Sequence, residues 1–460
     1  MAATRTKIMM AWSLQRANYG EQPCWMAITL AAMLGQIGLP GGGFGFGYGA
    51  SNGVGNPLLD ISWPALDQGQ NAVDDFIPVA RIADMLLNPK STYDFKGQAR
   101  VYPDIKLVYW AGGNPFHHHQ DLNRLCEAWT RPEVVIVHDS WWNALARRAD
   151  IVFPSATQLE RNDIACAARE RMLAASHKIA EPFGKARADF DIYADLCAAM
   201  GVRNVFTQGR GEEEWLRSLY HQAAARLKKL GHYTPCFDDF WKKGLLHFPA
   251  PEAHTVLLED FRKDPQKNPL QTASGLIEIY SETIAGYGYA DCPAHPQWLE
   301  PLEWLGSVIT QRFPLHMISN QPQTRLHSQY DSGQYSRDSK IQDREPVRIN
   351  PGDASKRGIG NGDVVRIFND RGACLAGAIL SDAVRPGVVQ LSTGAWYDPE
   401  HSDQKNPLDK HGNPNVLTAD RGTSKLSQAT SAHSCLVEIE LFTGTLPPLS
   451  AFDPPRIVSA

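Results

Sequence analysis

The sequence has no C-x-x-C pair. Its eight cysteines, Cys24, Cys126, Cys166, Cys197, Cys236, Cys292, Cys374 and Cys435, are scattered over 460 residues. A zinc site or a cysteine-held iron–sulfur cluster needs clustered thiolates, so neither is expected, and no metal-ligating residue is assigned. Most of these thiols are expected to be buried, in a reducing compartment. Long apolar runs are also lacking. The longest, Cys24 to Leu34, includes Thr29, falls far short of a membrane span and reads as a buried helix. Met1 to Trp12 contains no h-region with a cleavage site, so no signal peptide is expected. Neither sign of charge dominates: 45 Lys and Arg stand against 50 Asp and Glu, a formal net charge of -5. Nucleic-acid and membrane partners are therefore not expected. Internal repeats, low-complexity tracts, G-x-x-x-x-G-K-[ST], G-x-S-x-G and H-E-x-x-H are all absent, which removes the P-loop, hydrolase-elbow and zincin readings.

What is present predicts several domains, because 460 residues exceed one ordinary core. Residues 1–57 read as the remnant of an α/β domain whose N-terminal part lies elsewhere: a short strand at Ile8–Trp12, a helix from Gln22 to Gln36, then the glycine-rich Leu39-Pro40-Gly41-Gly42-Gly43-Phe44-Gly45-Phe46-Gly47. Residues 58–250 alternate strands (Ile105–Trp110, Val134–Val137, Ile151–Phe153) with helices (Asp121–Trp129, Trp141–Ala146, Phe190–Met200, Glu212–Lys228), which predicts a parallel, Rossmann-like α/β domain. Residues 251–310 read as a proline-rich linker and bridging segment. Residues 311–460 hold short strands (Leu315–Ser319, Val347–Ile349, Val364–Phe368, Cys374–Leu380, Val388–Ser392, Cys435–Leu441) separated by turn residues, and predict a closed β-barrel.

In parallel sheets, ligands bind beyond the carboxyl ends of the strands. Three predicted strand ends carry polar groups there. Gly112-Gly113-Asn114-Pro115-Phe116-His117-His118-His119-Gln120 follows one strand, with glycines that permit close backbone approach and Asn and His for directional hydrogen bonds. Adjacent histidines rarely converge on one ion, and no further ligand is evident nearby, so a metal site is set aside. His138-Asp139-Ser140 ends the next strand. Asp139 suits an amino-substituted ring or a ribose hydroxyl, while Ser140 is expected to cap the following helix. Arg161 and Asp191 complete the candidate pocket. Trp12-Ser13-Leu14-Gln15-Arg16 ends the first strand, where an arginine suits phosphate or a planar heterocycle, though on this segment alone an ordinary surface loop is the favoured reading. The barrel offers Ser319-Asn320-Gln321-Pro322-Gln323-Thr324-Arg325-Leu326-His327-Ser328-Gln329, and also Gly412-Asn413-Pro414-Asn415 with Thr423 to Gln428, where turn formation is the bland account.

In order along the chain, these segments resemble the dimethyl sulfoxide reductase family of molybdopterin oxidoreductases, on the branch of the biotin sulfoxide and trimethylamine N-oxide reductases. Gly20-Glu21-Gln22-Pro23, Leu34 to Gly45 and Gly394-Ala395-Trp396-Tyr397-Asp398-Pro399 add to the resemblance. It implies molybdenum bis(molybdopterin guanine dinucleotide) as cofactor and a double-psi barrel. The cofactor contacts it implies are Trp12, Ser13, Arg16, Asn114, His118, His138, Asp139, Arg161, Asp191, Ser319, Asn320, Gln321, Pro322, Arg325, His327, Ser328, Gln329, Asn415 and Gln428. Trp396 and Tyr397 become candidates for a substrate funnel, against plain core packing of an aromatic turn.

The family is longer on its N-terminal side. That side carries the serine that ligates molybdenum, so the metal ligand is expected outside this chain. The expected function is oxygen-atom removal from an S-oxide or N-oxide, with a separate electron donor and the missing N-terminal half as partners. The expected compartment is the cytoplasm, with the periplasm as alternative. Two other readings stand beside it. One is a pterin-nucleotide-binding fragment without activity. The other is an unrelated nucleotide-binding α/β protein, which requires the barrel loop Asn320–Gln329 to lie far from the strand ends at Asn114 and Asp139.

Overall fold

The computed structural model describes residues 4–47, 56–250, 256–401, 404–456 and 458. Strand β1 (Lys7–Met10) leads through a tight turn into helix α1 (Glu21–Met33). The glycine-rich run then returns as strand β2 (Gly43–Phe46), parallel to β1 with Lys7 opposite Gly43. Helix α1 is not the buried helix its composition suggests. Ala27, Thr29 and Ala31 are buried, but Met26, Leu30 and Met33 are exposed. A two-stranded sheet is too narrow to cover more than one face of a helix.

Strands β3 (Leu107–Ala111), β4 (Val134–Asp139) and β5 (Ile151–Pro154) form the predicted parallel sheet, with Ala111 opposite His138 and Asp139 opposite Pro154. Helix α2 (Leu122–Ala128) makes the first crossover and buries Leu122, Leu125 and Ala128, the helical i, i+3, i+6 stripe. No helix forms at Trp141–Ala146; only a 3-10 turn, Ala146–Arg148, follows. The reason is local. Asp139 accepts from Trp141 N at 2.9 Å, and Asn143 Oδ1 accepts from Leu145 N and Ala146 N at 3.0 Å. These side chains compete with the helical ladder for its donors. Ser140 is likewise not the cap; its hydroxyl donates to Ser155 O at 2.8 Å.

Helices α3 (Asp189–Ala199) and α4 (Glu212–Lys229) follow. The stripe Leu216, Tyr220, Ala223 and Leu227 of α4 packs with Phe237, Phe240, Leu246 and Leu173 into a core of its own. Of the stretch read as a linker, residues 251–255 lie outside the described residues. Its remainder straps the first segment to the barrel. Arg262 Nη1 donates to Gly35 O and Ile37 O at 2.9 Å, Trp25 Nε1 donates to Glu278 O at 2.8 Å, and Glu303 pairs with Arg371 of the barrel at 2.7 Å.

Strands β6 (Leu315–Ile318), β7 (Pro346–Ile349), β8 (Val364–Phe368), β9 (Ala373–Leu380), β10 (Val388–Leu391) and β11 (Leu436–Leu441) close into a barrel in the order β6-β10-β7-β9-β8-β11. The β6–β10 and β7–β9 pairs are parallel and the rest antiparallel. Closure leaves no unpaired edge. The barrel interior (Met317, Val347, Ile367, Val389) is continuous with Phe116, Leu125 and Val137 of the α/β sheet in a single apolar core. That shared core presses the barrel loops against the ends of β3, β4 and β5.

The cysteines do not follow expectation. Cys292, Cys374 and Cys435 are buried, Cys24, Cys126 and Cys197 half-buried, and Cys166 and Cys236 exposed. Cys374 and Cys435 sit inside the core shared by barrel and sheet, and Cys292 is buried beside Gln22 of α1.

Candidate functional site

A cleft of about 970 Å³ opens between the strand ends and the barrel. Gly112, Gly113, Asn114, His117 and His118 line it after β3, His138, Asp139 and Ser140 at β4, and Ser155 to Gln158 after β5. His327, Ser328, Gln329 and Tyr330 line it from the barrel, and Gln15 and Arg16 from the turn after β1. The separation that an unrelated nucleotide-binding protein required is therefore absent.

Backbone conformation explains the β3 loop. Gly112 and Gly113 have φ of 76° and 89°, where a side chain is strained, and a Cβ on Gly112 would meet no atom within 4 Å. The chain thus presents bare backbone to open space. Asn114 caps the next turn by accepting from Phe116 N at 3.1 Å. The barrel grips this turn: Asn413 Nδ2 donates to Phe116 O and Ala395 O at 3.0 Å, Asn415 Nδ2 donates to His117 O, and Asp121 N donates to Thr418 O at 3.1 Å.

The three histidines separate. His117 is 4% exposed, its ring centroid lies 5.4 Å from that of His327, and its Nδ1 has no partner. Burial, aided by the neighbouring His118, His327 and Arg325, lowers its pKa to about 3. His118 is lowered by burial and then by His327 and Arg16. His119 points away from the cleft, with Nε2 3.4 Å from the buried Asp420. The cleft is thus walled by neutral imidazoles beside a cationic Arg16.

At β4 the two residues divide their roles. His138 is held at both nitrogens, Nδ1 to Asp189 Oδ1 at 2.8 Å and Nε2 to Tyr109 Oη at 2.6 Å, and its ring stacks on Tyr193 at 4.9 Å. It builds the wall. Asp139 is raised above the ordinary carboxylate range by burial, against the donors Trp141 N and Asn143 Nδ2 that favour its charge.

Beneath the barrel loop lies a buried charge cluster. Arg325 and Lys340 face Asp331 and Glu345 at 2.9–3.3 Å, each side chain at most 3% exposed. Burial pushes Asp331 up, but Lys340, His411 and Arg325 outweigh it and hold the carboxyl well below its usual range. Asp331 Oδ2 accepts from Trp396 N at 3.0 Å, and Trp396 Nε1 donates to Ser328 O at 2.8 Å. The cluster thereby fixes the loop that carries His327, Ser328 and Gln329. Trp396, 5% exposed, lines the cleft, while Tyr397, 4% exposed, packs in the core.

Of the residues predicted to hold the cofactor, the cleft gathers Arg16, Asn114, His118, His138, Asp139, His327, Ser328 and Gln329. Others lie beside it. Trp12 and Ser13 are exposed, with the Trp12 indole against Gly47. Asn320 accepts from Ser392 Oγ at 3.3 Å, and Gln321 holds His327 through both its amide ends. Ser319 and Pro322 are half-buried in the same loop. Gln428 donates to Asp94 O and Lys425 O and accepts from Arg81 Nε, so its amide is engaged within the protein. Asn415 is buried against the His117 backbone, and Arg325 is wholly enclosed. Arg161 turns to Asp163, and Asp191 is exposed on α3. Instead Asp189, two residues earlier, reaches the cleft. Asp189, Ser155, Thr157 and Gln158 were missed by sequence reasoning; the same strand-end rule applied to β5 would have found the last three.

The lining suits a pterin nucleotide: bare backbone and Arg16 for phosphate, neutral imidazoles and Asp139 for heterocycle edges. Comparison with known proteins agrees. Residues 2–199 match the molybdopterin oxidoreductase family, and residues 315–436 match the molydopterin dinucleotide binding domain. The chain is 50% identical over 442 residues to biotin sulfoxide reductase of Cereibacter sphaeroides, covering 96% of this chain and 59% of that protein. It is 47% identical over 470 residues to dimethyl sulfoxide/trimethylamine N-oxide reductase of the same organism, covering 99% and 57%. It is 45% identical over 472 residues to trimethylamine-N-oxide reductase 1 of Escherichia coli O157:H7, covering 99% and 55%. The chain thus spans 55–59% of the length of these relatives. Acetylene hydratase from Pelobacter acetylenicus shares the fold, with a TM-score of 0.57 and 16% identity over 78% of this chain and 46% of that one.

Proposed function

Because the chain belongs to the molybdopterin oxidoreductase family, we propose that it forms one wall of the cofactor site in a molybdenum-dependent reductase. The substrate class is an S-oxide or N-oxide, and a sulfoxide such as biotin or methionine sulfoxide leads. One observation carries the reading: the barrel loop His327–Gln329 and the strand ends at Asn114 and Asp139 line the same cleft. The cofactor proposed is molybdenum bis(molybdopterin guanine dinucleotide), which when bound supplies the two-electron chemistry that oxygen removal needs.

The protein's part is to hold and orient. Gly112 and Gly113 admit a phosphate against the backbone, and Arg16 offers it charge. Asp139 accepts from an amino-substituted ring. His118 and His327 stay neutral beside Arg16, so they present hydrogen bonds without adding positive charge. The molybdenum ligand is proposed to lie in the remaining length of the relatives, and the compartment proposed is the cytoplasm.

A second reading is that this chain by itself retains the nucleotide without turning over substrate. One experiment addresses both. The chain is produced in a molybdenum-cofactor-making host, alone and together with the remaining part of a relative. Molybdenum and released guanine nucleotide are quantified, and sulfoxide reduction is assayed with a reduced viologen dye. Nucleotide in both samples and turnover only in the completed one is expected. A matured, completed protein with neither molybdenum nor guanine nucleotide would sink the proposal.

A further inference from the structure

Two large aromatic side chains stand open in the cleft. Trp141, Tyr193, Tyr330 and Trp396 all line it. Trp396 is buried and Tyr193 half-buried, but Trp141 is 46% and Tyr330 62% exposed. Leaving such rings in water forgoes the burial they ordinarily contribute. The two come from opposite walls. Trp141 follows β4, and Tyr330 follows His327, Ser328 and Gln329 in the barrel loop. Their rings meet edge to face, with centroids 6.2 Å apart and planes at 71°. An edge-to-face contact covers one face of one ring, so each ring keeps at least one face open.

The backbone beneath both rings is fixed. Trp141 N donates to Asp139 Oδ1 at 2.9 Å, and the neighbouring Ser140 hydroxyl donates to Ser155 O at 2.8 Å. Tyr330 has φ of 57°, a left-handed conformation that strains a bulky residue. The next residue, Asp331, is completely buried and paired with Lys340 at 2.9 Å and Arg325 at 3.3 Å. The buried charges thus hold Tyr330 in a strained conformation with its ring exposed. Little freedom is lost when a flat ligand settles on rings so anchored.

We propose that Trp141 and Tyr330 form a stacking subsite for the guanine base of the dinucleotide. The proposal rests on the reading of the cleft as a pterin-nucleotide site and adds two residues to which no cofactor contact has been assigned. Asp139 and Trp141, joined by their hydrogen bond, then share one ring: the carboxyl group takes its amino-substituted edge and the indole its face. Guanine is flat throughout and the reduced pterin is not, so a stacking surface selects the base. Because the two rings belong to different walls, a base held here also bridges sheet and barrel.

The test uses the full chain with two probes, molybdopterin guanine dinucleotide and molybdopterin lacking the nucleotide, each released from a mature enzyme. Binding is followed by pterin fluorescence. Trp141→Leu and Tyr330→Leu remove the rings; Trp141→Phe and Tyr330→Phe keep one. Dinucleotide affinity is expected to weaken about tenfold in each Leu variant and to be largely restored in the Phe variants. Affinity for molybdopterin without the nucleotide is expected to stay the same in all four. Melting temperatures are expected to shift little, because both side chains are exposed. Wild-type dinucleotide affinity in either Leu variant would overturn the paired platform. Phe variants that bind no better than the Leu variants would overturn stacking as the cause. Equal weakening toward both probes would overturn the assignment to guanine. A wild-type chain that binds neither probe would instead sink the reading of the cleft, and this subsite with it.

Discussion

His411 shows how a single residue ties the barrel's electrostatics to its stability. It is wholly buried, with Nδ1 2.9 Å from Trp396 O, and burial together with the Lys340 charge lowers its pKa to about 4. An unfolded chain takes up that proton near pH 6.5. A depressed folded pKa means the stabilising preference is complete above pH 6.5 and is lost as pH falls toward 4. Between pH 6.5 and 5 the loss is roughly 2 kcal/mol. Asp409 works in the opposite sense. Burial raises its carboxyl to about 7, so its folded form takes up a proton first as pH falls and opposes the loss by a comparable amount. The difference between His411→Gln and the parent chain isolates the imidazole, because Gln keeps a donor for Trp396 O and does not titrate. The urea midpoint at pH 5, taken relative to that at pH 7.5, is expected to be higher in the variant than in the parent chain; an unchanged difference would contradict the assignment.

At the scale of elements, the cleft depends on two loops being held from behind. Gly394 has φ of 104°, and a Cβ there would meet His327 O at 2.0 Å. Gly394→Ala is therefore expected to cost roughly 1–3 kcal/mol in backbone strain and to displace the His327 loop. Dinucleotide binding should weaken along with the melting temperature, and a variant that binds normally would show that the loop position is unimportant. Asn413 is the second support. Its amide satisfies the buried carbonyls of Phe116 and Ala395 across the boundary between sheet and barrel. Asn413→Ala leaves both without a donor, at about 2 kcal/mol or more, measurable by calorimetry. Elements also explain where sequence patterns misled. The predicted helix at Trp141–Ala146 has adequate helix formers, yet Asp139 and Asn143 capture its first amide donors.

Across the whole molecule, two cores carry different responsibilities. One joins the barrel to the sheet β3–β4–β5 and bears the cleft. The other gathers around α4 and Tyr220. Leu227 is completely buried in the second, so Leu227→Ala is expected to cost roughly 2–5 kcal/mol. Calorimetry should show this as a lowered transition, while dinucleotide affinity at the cleft stays unchanged. Loss of binding in that variant would show that the two cores do not unfold and act independently.

The sequence by itself determined the parallel sheet, the six barrel strands and the strand ends at Asn114 and Asp139. These features rest on local periodicity, turn residues and the chain direction of parallel strands, all of which are readable within a few residues. It also carried a family resemblance that the comparisons bear out. The tertiary structure alone decided which polar residues share a space. Asp189 rather than Asp191 reaches the cleft, because a helix turns adjacent residues about 100° apart and only packing selects the inward one. Arg325 and Gln428, polar and promising in sequence, are enclosed by Asp331 and Glu345 in one case and by Asp94, Lys425 and Arg81 in the other. Those partners are distant in sequence or concealed in loops without periodic signal, so no local pattern could have paired them. The orphaned nitrogen of His117 belongs to the same class: an unsatisfied buried group exists only once every surrounding side chain has been placed.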